Sequence, residues 1–189
     1  DYIATAVMGS FDAAQVGMQA VFSSSNLGEY RHSVNSGKNL LRKYIEHYQN
    51  TDTCLVLVGY SQGAQVVGET VRDMHAEDAN ALKNVIYIGL LGDPEYNPEG
   101  YDTTTRPSWL RGDALYPFWG VLGPRSPEYI PHNPSNALYP FTKVGSWCNY
   151  GDVICATNVT HYAAMRDGHG SYITNGIPDM VREISDAIE

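Results

Sequence analysis

Apolar and polar positions follow two alternating patterns along the chain, one typical of strands and one typical of helices. Continuous apolar runs at residues 53–58 and Val85–Leu91 indicate buried parallel strands, and a shorter strand is predicted at about 142–147. Between the first two runs, apolar residues recur at helical spacing: Ala64, Val66, Val67, Thr70, Val71 and Met74. This alternation predicts an α/β fold, a three-layer α/β/α sandwich around a mainly parallel central sheet. In such folds the functional residues lie at the carboxyl ends of the strands.

Other elements are predicted towards the two ends of the chain. Residues 3–14 are interpreted as a mostly apolar helix and residues 16–22 as a short strand. Ser36 is the expected N-cap of a helix over about 37–48. One face of that helix is expected to carry Leu40, Leu41, Tyr44, Ile45 and Tyr48. A final helix, Ile177–Ile188, is expected to close the fold. Its predicted apolar face consists of Val181, Ile184 and Ile188.

Length and charge narrow the class of protein. A chain of 189 residues fits a single domain, 1–189, with one core. Its formal net charge of −9 argues against a nucleic-acid partner, because phosphate binding requires clustered Lys and Arg. No apolar stretch reaches the roughly 18 residues of a membrane span. The protein is expected to be a monomer. Residues from about 94 to 146 are rich in proline and aromatic residues, which indicates an insertion that either lines a binding groove or packs on the body.

The cysteines indicate the redox compartment. Cys148 and Cys155 are seven positions apart, close enough to form a disulfide, whereas Cys54 lies in an apolar strand. One bridge and one buried free thiol are expected, which favours a secreted, extracellular protein. Metal binding by the cysteines is the alternative, but no second Cys or His pair stands at zinc spacing. The chain begins at Asp1 without a signal-peptide pattern, which we interpret as a processed or recombinant product; Asn158 begins an N-glycosylation sequon.

The motif Gly59-Tyr60-Ser61-Gln62-Gly63 carries the candidate chemistry. An apolar strand precedes it and a helical pattern follows, as in a nucleophile elbow, where a sharp turn presents a serine above the sheet edge. A serine hydroxyl is a poor nucleophile until a base removes its proton, and that base must be oriented by a third group. The sequence must therefore supply a histidine and an acid downstream of Ser61.

Two acids and two histidines compete for these roles. Asp152, inside the short cysteine loop, is favoured as the orienting acid over Asp93, which stands before a proline in an ordinary turn sequence. His169, flanked by glycines before the last helix, is favoured as the base over His161, which has apolar neighbours.

The tetrahedral intermediate of acyl transfer also needs an oxyanion hole. The backbone N–H of Gln62, directly after the serine, is the expected first donor. A second donor should come from a loop after an early strand, and Ser10 is a weak candidate for it.

Three of these segments together resemble the cutinase family of serine esterases. The run from Gly59 to Ala64 is similar to the family's nucleophile motif, and the Cys148 to Cys155 loop is similar to its acid-bearing disulfide loop. His169-Gly170-Ser171-Tyr172 resembles its histidine segment. The resemblance covers about residues 30–189 and implies Ser61 as nucleophile, Asp152 as orienting acid and His169 as general base. It also implies a cutinase-like α/β hydrolase fold.

The resemblance implies a secreted carboxylic ester hydrolase that needs no metal or cofactor and forms an acyl-enzyme intermediate. Its substrates would be lipid, polyester or acylated-glycan esters. Alternatives are an acyltransferase with the same three residues and a non-catalytic binding module with a degenerate oxyanion hole. Two departures from the family pattern are expected: a missing or shortened first strand, and a longer insertion, nearer the family's phage mycolyl-esterase and actinobacterial branches.

Overall fold

The part of the chain that the computed structural model describes contains four parallel strands and four helices. The described residues are 2–8, 24–78, 80–97, 120–123, 143–149, 152, 154–155 and 169–188. The strands, adjacent in the order of their numbers, are β1 (Tyr2–Met8), β2 (Cys54–Tyr60), β3 (Val85–Leu91) and β4 (Lys143–Trp147). The helices are α1 (Ser24–Tyr48), α2 (Gln62–Glu77), α3 (Tyr172–Asn175) and α4 (Ile177–Ile188).

The sheet carries a hydrophobic core on each face. Successive side chains of a strand point to opposite faces, and β2 shows this directly. Leu55 and Leu57 join the core that α1 and α2 cover, whereas Val56 joins the core that contains Met180 of α4. The described elements therefore form three layers, and the predicted α/β sandwich with a parallel sheet is confirmed.

The elements around the serine motif form as predicted. β3 has the predicted bounds, β2 begins one residue later and ends two residues later than predicted, and α2 covers the whole predicted helical pattern. Every apolar position predicted for α2 is buried, together with Thr70. β4 occupies residues 143–147 of the predicted 142–147.

The prediction for the start of the chain was wrong. Residues 2–8 form strand β1, paired in parallel with β2, and not a helix. A short apolar run cannot be assigned by periodicity alone, and here pairing with β2 decides the outcome. Of the expected missing or shortened first strand, the first alternative was therefore also wrong. The strand predicted at residues 16–22 lies outside the described residues.

Helix α1 begins at Ser24, so Ser36 lies inside it and is not its N-cap. Its first half is rich in Ser, Asn and Gly, which are poor helix formers, and packing of that half against α2 overrides their propensity. Its buried face includes Val34, Leu41 and Ile45, whereas the predicted core residue Leu40 is 71% exposed.

The closing helix α4 has the predicted bounds but a different buried face. Met180 is buried and Ile177 and Ile184 pack beside it, whereas Val181 is 54% exposed. Ile188 is also exposed. The observed stripe therefore begins four residues before the predicted one and shares Ile184 with it.

The strand register brings four chain segments to one edge of the sheet. Tyr60 pairs with Met8 on one side and Leu91 on the other, and Leu91 pairs with Trp147. The carboxyl ends of the four strands therefore lie side by side, and the described segments after β2, β3 and β4 leave the sheet there. Most of the predicted insertion, namely residues 98–119 and 124–142, lies outside the described residues. Among the helices described, none is long and apolar enough to cross a bilayer.

Candidate active site

Ser61 occupies a strained turn between β2 and α2. Its φ of 55° and ψ of −125° make it the single non-glycine residue with positive φ among those described. The Ser61 N–H donates to the carbonyl of Leu91 at 2.8 Å, which extends the strand ladder by one residue. At Gly59 a Cβ would lie 2.4 Å from the Gly63 carbonyl oxygen. Strand and helix therefore cross too closely for a side chain, as a nucleophile elbow requires.

Three side chains from different segments form a continuous hydrogen-bonded chain. Ser61 Oγ lies 3.0 Å from His169 Nε2. On the other side of the ring, Nδ1 lies 2.9 Å from both carboxylate oxygens of Asp152. A carboxylate only accepts hydrogen bonds, so Nδ1 carries the proton and Nε2 is free to accept from the serine hydroxyl.

Asp152 is fully buried, and its carboxylate is held from several sides. Cys148 and Cys155 form the predicted disulfide, which encloses the acid in a short loop. The backbone N–H of Ile154 donates to Oδ1 at 2.9 Å, and the hydroxyl of Tyr172 donates to Oδ2 at 2.5 Å. Buried carboxylates require such donors to remain charged. Cys54 is a free thiol, as predicted, although it is only half-buried.

Tyr60 supports the histidine. Its ring stacks on the His169 imidazole with 4.9 Å between centroids, and its hydroxyl donates to the His169 carbonyl oxygen at 2.7 Å. Burial, followed by the negative charge of Asp152, raises the pKa of the Tyr60 phenol to about 12. The same two causes raise the pKa of Tyr172 well above its ordinary value. Both phenols are therefore protonated donors at neutral pH.

Gly92 lies beneath the acid and the histidine. It has a φ of +60°, and a Cβ there would lie 2.9 Å from Asp152 Oδ2 and 3.0 Å from His169 Cε1. No sequence motif predicted a supporting role for Gly92, Tyr60 or Tyr172. The signals were present: a glycine directly after a buried strand, a tyrosine beside the serine, and a tyrosine three positions after the histidine.

The start of α2 faces the serine. Gln62 is the first residue of this helix, where N–H groups have no acceptor in a preceding helical turn and attract negative charge. The Gln62 side chain accepts a hydrogen bond from Ser33 of α1 at 3.3 Å. Ser10, the weak candidate for a second oxyanion donor, lies outside the described residues.

Asp93 and His161 are the less favoured acid and base, and the structure describes the first of them. Asp93 is fully buried, and its Oδ1 accepts the Glu95 N–H at 3.0 Å, the turn contact expected for Asp before Pro. His161 lies outside the described residues. Within the described ranges, no group of three His, Cys, Asp or Glu side chains could hold a metal ion.

Comparisons with known proteins agree with this architecture. The acetyl xylan esterase catalytic core domain from Trichoderma reesei is 24% identical over 77% of this chain and 69% of that chain, with a TM-score of 0.50. A second acetylxylan esterase structure is 16% identical over 85% and 73% of the two chains, with a TM-score of 0.55. An iodinated acetyl xylan esterase complex is 17% identical over 92% and 93%, with a TM-score of 0.54. At these identities the likeness shows the fold.

A search of curated proteins finds no significant match to this sequence. The sequence profile of the cutinase family, in contrast, matches residues 2–185. Because this match spans nearly the whole sequence, the chain belongs to the cutinase family of carboxylic ester hydrolases.

Proposed function

We propose that the protein hydrolyses carboxylic esters with Ser61 as nucleophile, His169 as general base and Asp152 as orienting acid. The observation that carries the proposal is the unbroken chain of contacts from Ser61 Oγ through both ring nitrogens of His169 to Asp152. The tautomer in this chain is the one that can accept the serine proton. The strained serine backbone adds support, because strain of this kind clusters at active sites.

In the proposed reaction, Ser61 Oγ attacks the ester carbonyl carbon while its proton moves to His169 Nε2. The Gln62 N–H donates to the oxyanion that forms. As the intermediate collapses, the bond to the alcohol oxygen breaks and His169 returns the proton to that oxygen. Water then attacks the acyl-enzyme with the same base, releasing the carboxylic acid and restoring the serine. Asp152 stabilises the imidazolium in both steps.

The same proposal places the enzyme outside the cell. The disulfide between Cys148 and Cys155 supports this, because such bridges form and persist in oxidising compartments. Lipid, polyester and acylated-glycan esters are the proposed substrate classes. The similarity in fold to acetyl xylan esterases is a reason to include acetylated glycans in the substrate panel.

The test is hydrolysis of p-nitrophenyl esters from acetate to long acyl chains by the protein and by its Ser61→Ala variant. We expect the variant to lose at least about a thousandfold in kcat/KM, since a serine nucleophile cannot be replaced by binding alone. Ser185→Ala is the matched control, because this exposed serine lies on α4, where its hydroxyl donates to the Val181 carbonyl. Activity retained in Ser61→Ala, or lost equally in the control, would refute the assignment.

A further inference from the structure

Besides His169 Nδ1, a residue outside the proposed catalytic set donates to Asp152 Oδ2. Tyr172 is 3% exposed, and its hydroxyl hydrogen points at Asp152 Oδ2 across 2.5 Å. The Asn149 N–H donates to the same phenol oxygen at 3.1 Å. This donor occupies a lone pair of the phenol and so directs its hydrogen towards the carboxylate. Cys155 Sγ, 3.4 Å from the phenol oxygen, covers another side.

Tyr172 also joins the two segments that carry the acid and the histidine. It stands three residues after His169, at the start of α3, while its partners Asn149 and Asp152 belong to the disulfide loop. A second bond between the same segments runs from Asn149 Nδ2 to Ser171 Oγ at 2.9 Å. The hydroxyl of Tyr172 thus links the histidine segment to both the backbone and the carboxylate of the disulfide loop.

The donor cannot be replaced by solvent. Asp152 is fully buried, so the removal of the phenol hydroxyl leaves Oδ2 with less hydrogen bonding and no water to compensate. A hydrogen bond donated to a carboxylate stabilises its charge and weakens its pull on other protons. Without the hydroxyl, Asp152 attracts the proton on His169 more strongly and is also freer to rotate.

We propose that Tyr172 is a positioning residue of the Ser61, His169 and Asp152 chain, whose hydroxyl fixes the carboxylate and limits the basicity of the imidazole. The inference rests on the proposed function for its kinetic consequences. Its direct consequence, the pH at which the His169 ring takes up a proton, is a property of the resting protein and needs no substrate.

The main test compares Tyr172→Phe with Tyr87→Phe. Tyr87 is the matched control, since it is a fully buried tyrosine of the same core whose hydroxyl donates to Glu183 Oε2 at 2.7 Å. In Tyr172→Phe we expect kcat to fall about tenfold while KM changes by less than about twofold. The acid limb of the pH profile of kcat/KM should move to higher pH by roughly 0.5–1 unit. Tyr87→Phe should leave the acid limb in place.

The His169 ring is followed separately by NMR titration, with its signal identified by its loss in His169→Gln. The midpoint should rise in Tyr172→Phe and stay fixed in Tyr87→Phe, whether or not the protein hydrolyses the esters offered. Inactive wild-type protein would refute the proposed function while leaving this readout intact. An unmoved midpoint in Tyr172→Phe, or an equal shift in both variants, would overturn the positioning role.

A second variant keeps the proposal testable if Tyr172→Phe fails to fold. Site-specific replacement of Tyr172 by 3-fluorotyrosine retains the hydroxyl and makes it a stronger donor. The acid limb and the NMR midpoint should then move to lower pH, opposite to the shift in Tyr172→Phe. No shift, or a shift to higher pH, would contradict the proposal.

Discussion

Gly92→Ala is a minimal change that the structure expects to disturb the proposed active site. The new Cβ would lie 2.9 Å from Asp152 Oδ2, 3.0 Å from His169 Cε1 and 3.1 Å from His169 Nδ1. Ordinary contacts of a Cβ lie at about 3.4 Å or more, so the acid and the histidine must move by about 0.4 Å. Neither can move freely, because Ile154 and Tyr172 hold the carboxylate and Tyr60 holds the histidine.

The stability that Gly92→Ala is expected to lose has two causes, backbone strain and close contacts. A side chain in the left-handed region costs about 1 kcal/mol, and the close contacts should add a similar amount, giving about 2 kcal/mol of lost stability. If a displacement of 1 Å costs about a hundredfold in rate, one of 0.4 Å should lower kcat about five- to tenfold.

Gly123→Ala separates the effect of backbone strain from that of the close contacts. Gly123 also has a left-handed backbone, with φ of +93°, but a Cβ there would meet nothing within 4 Å. Urea unfolding and p-nitrophenyl acetate kinetics are measured for both variants. We expect Gly123→Ala to lose about 1 kcal/mol of stability and to retain its kcat. Equal kcat values in the two variants would mean that Gly92 is not needed to make room for the acid and the histidine.

Two further predictions concern the disulfide and the ion pairs between α1 and α2. Replacing Cys148 and Cys155 together by Ser should lower the unfolding free energy by about 2.5 kcal/mol from chain entropy and lower kcat, as urea unfolding and ester kinetics will show; unchanged values would contradict this. Burial is the largest single influence and raises the pKa of Glu69 and of Asp73, but the hydrogen bonds and charges of Lys38 and its neighbours together outweigh it and lower both. This stabilisation is complete above the ordinary carboxyl pKa values of 4.5 and 3.8 and is lost as pH falls through the lowered ones. Lys38→Met should therefore cost about 1 kcal/mol at pH 7 and progressively less below about pH 4, a difference that unfolding at both pH values measures and that a pH-independent cost would refute.

The sequence predicted best the segments whose pattern and tertiary role agree. The apolar runs of β2 and β3 are buried on both faces, so their composition alone identifies them as parallel strands. β1 was mistaken for a helix because its identity depends on hydrogen bonding to β2, a partner about fifty positions away. The first half of α1 was missed for a similar reason: contacts such as that of Tyr30 with Gln65, at 2.6 Å, connect it to α2.

In the site, too, residues in local motifs were predicted and residues defined by distant partners were not. Ser61, Asp152 and His169 were selected because each stands in a short motif that carries chemistry, and the structure brings all three together. Gly92 and Tyr172 were not selected, because their roles are defined only by what surrounds them in space. A glycine after a strand and a tyrosine in a helix have many structural uses, and only the distances to Asp152 distinguish these two.

Covalent labelling of Ser61 reports directly on whether this serine is a nucleophile activated by His169. The folded protein is treated with a fluorophosphonate probe, and the product is measured by intact mass and peptide mapping, beside Ser61→Ala and His169→Gln. We expect one label per chain at Ser61, none in Ser61→Ala, and labelling slowed at least about a hundredfold in His169→Gln. Absence of labelling in the folded protein, or a label at another residue that persists in Ser61→Ala, would contradict this expectation.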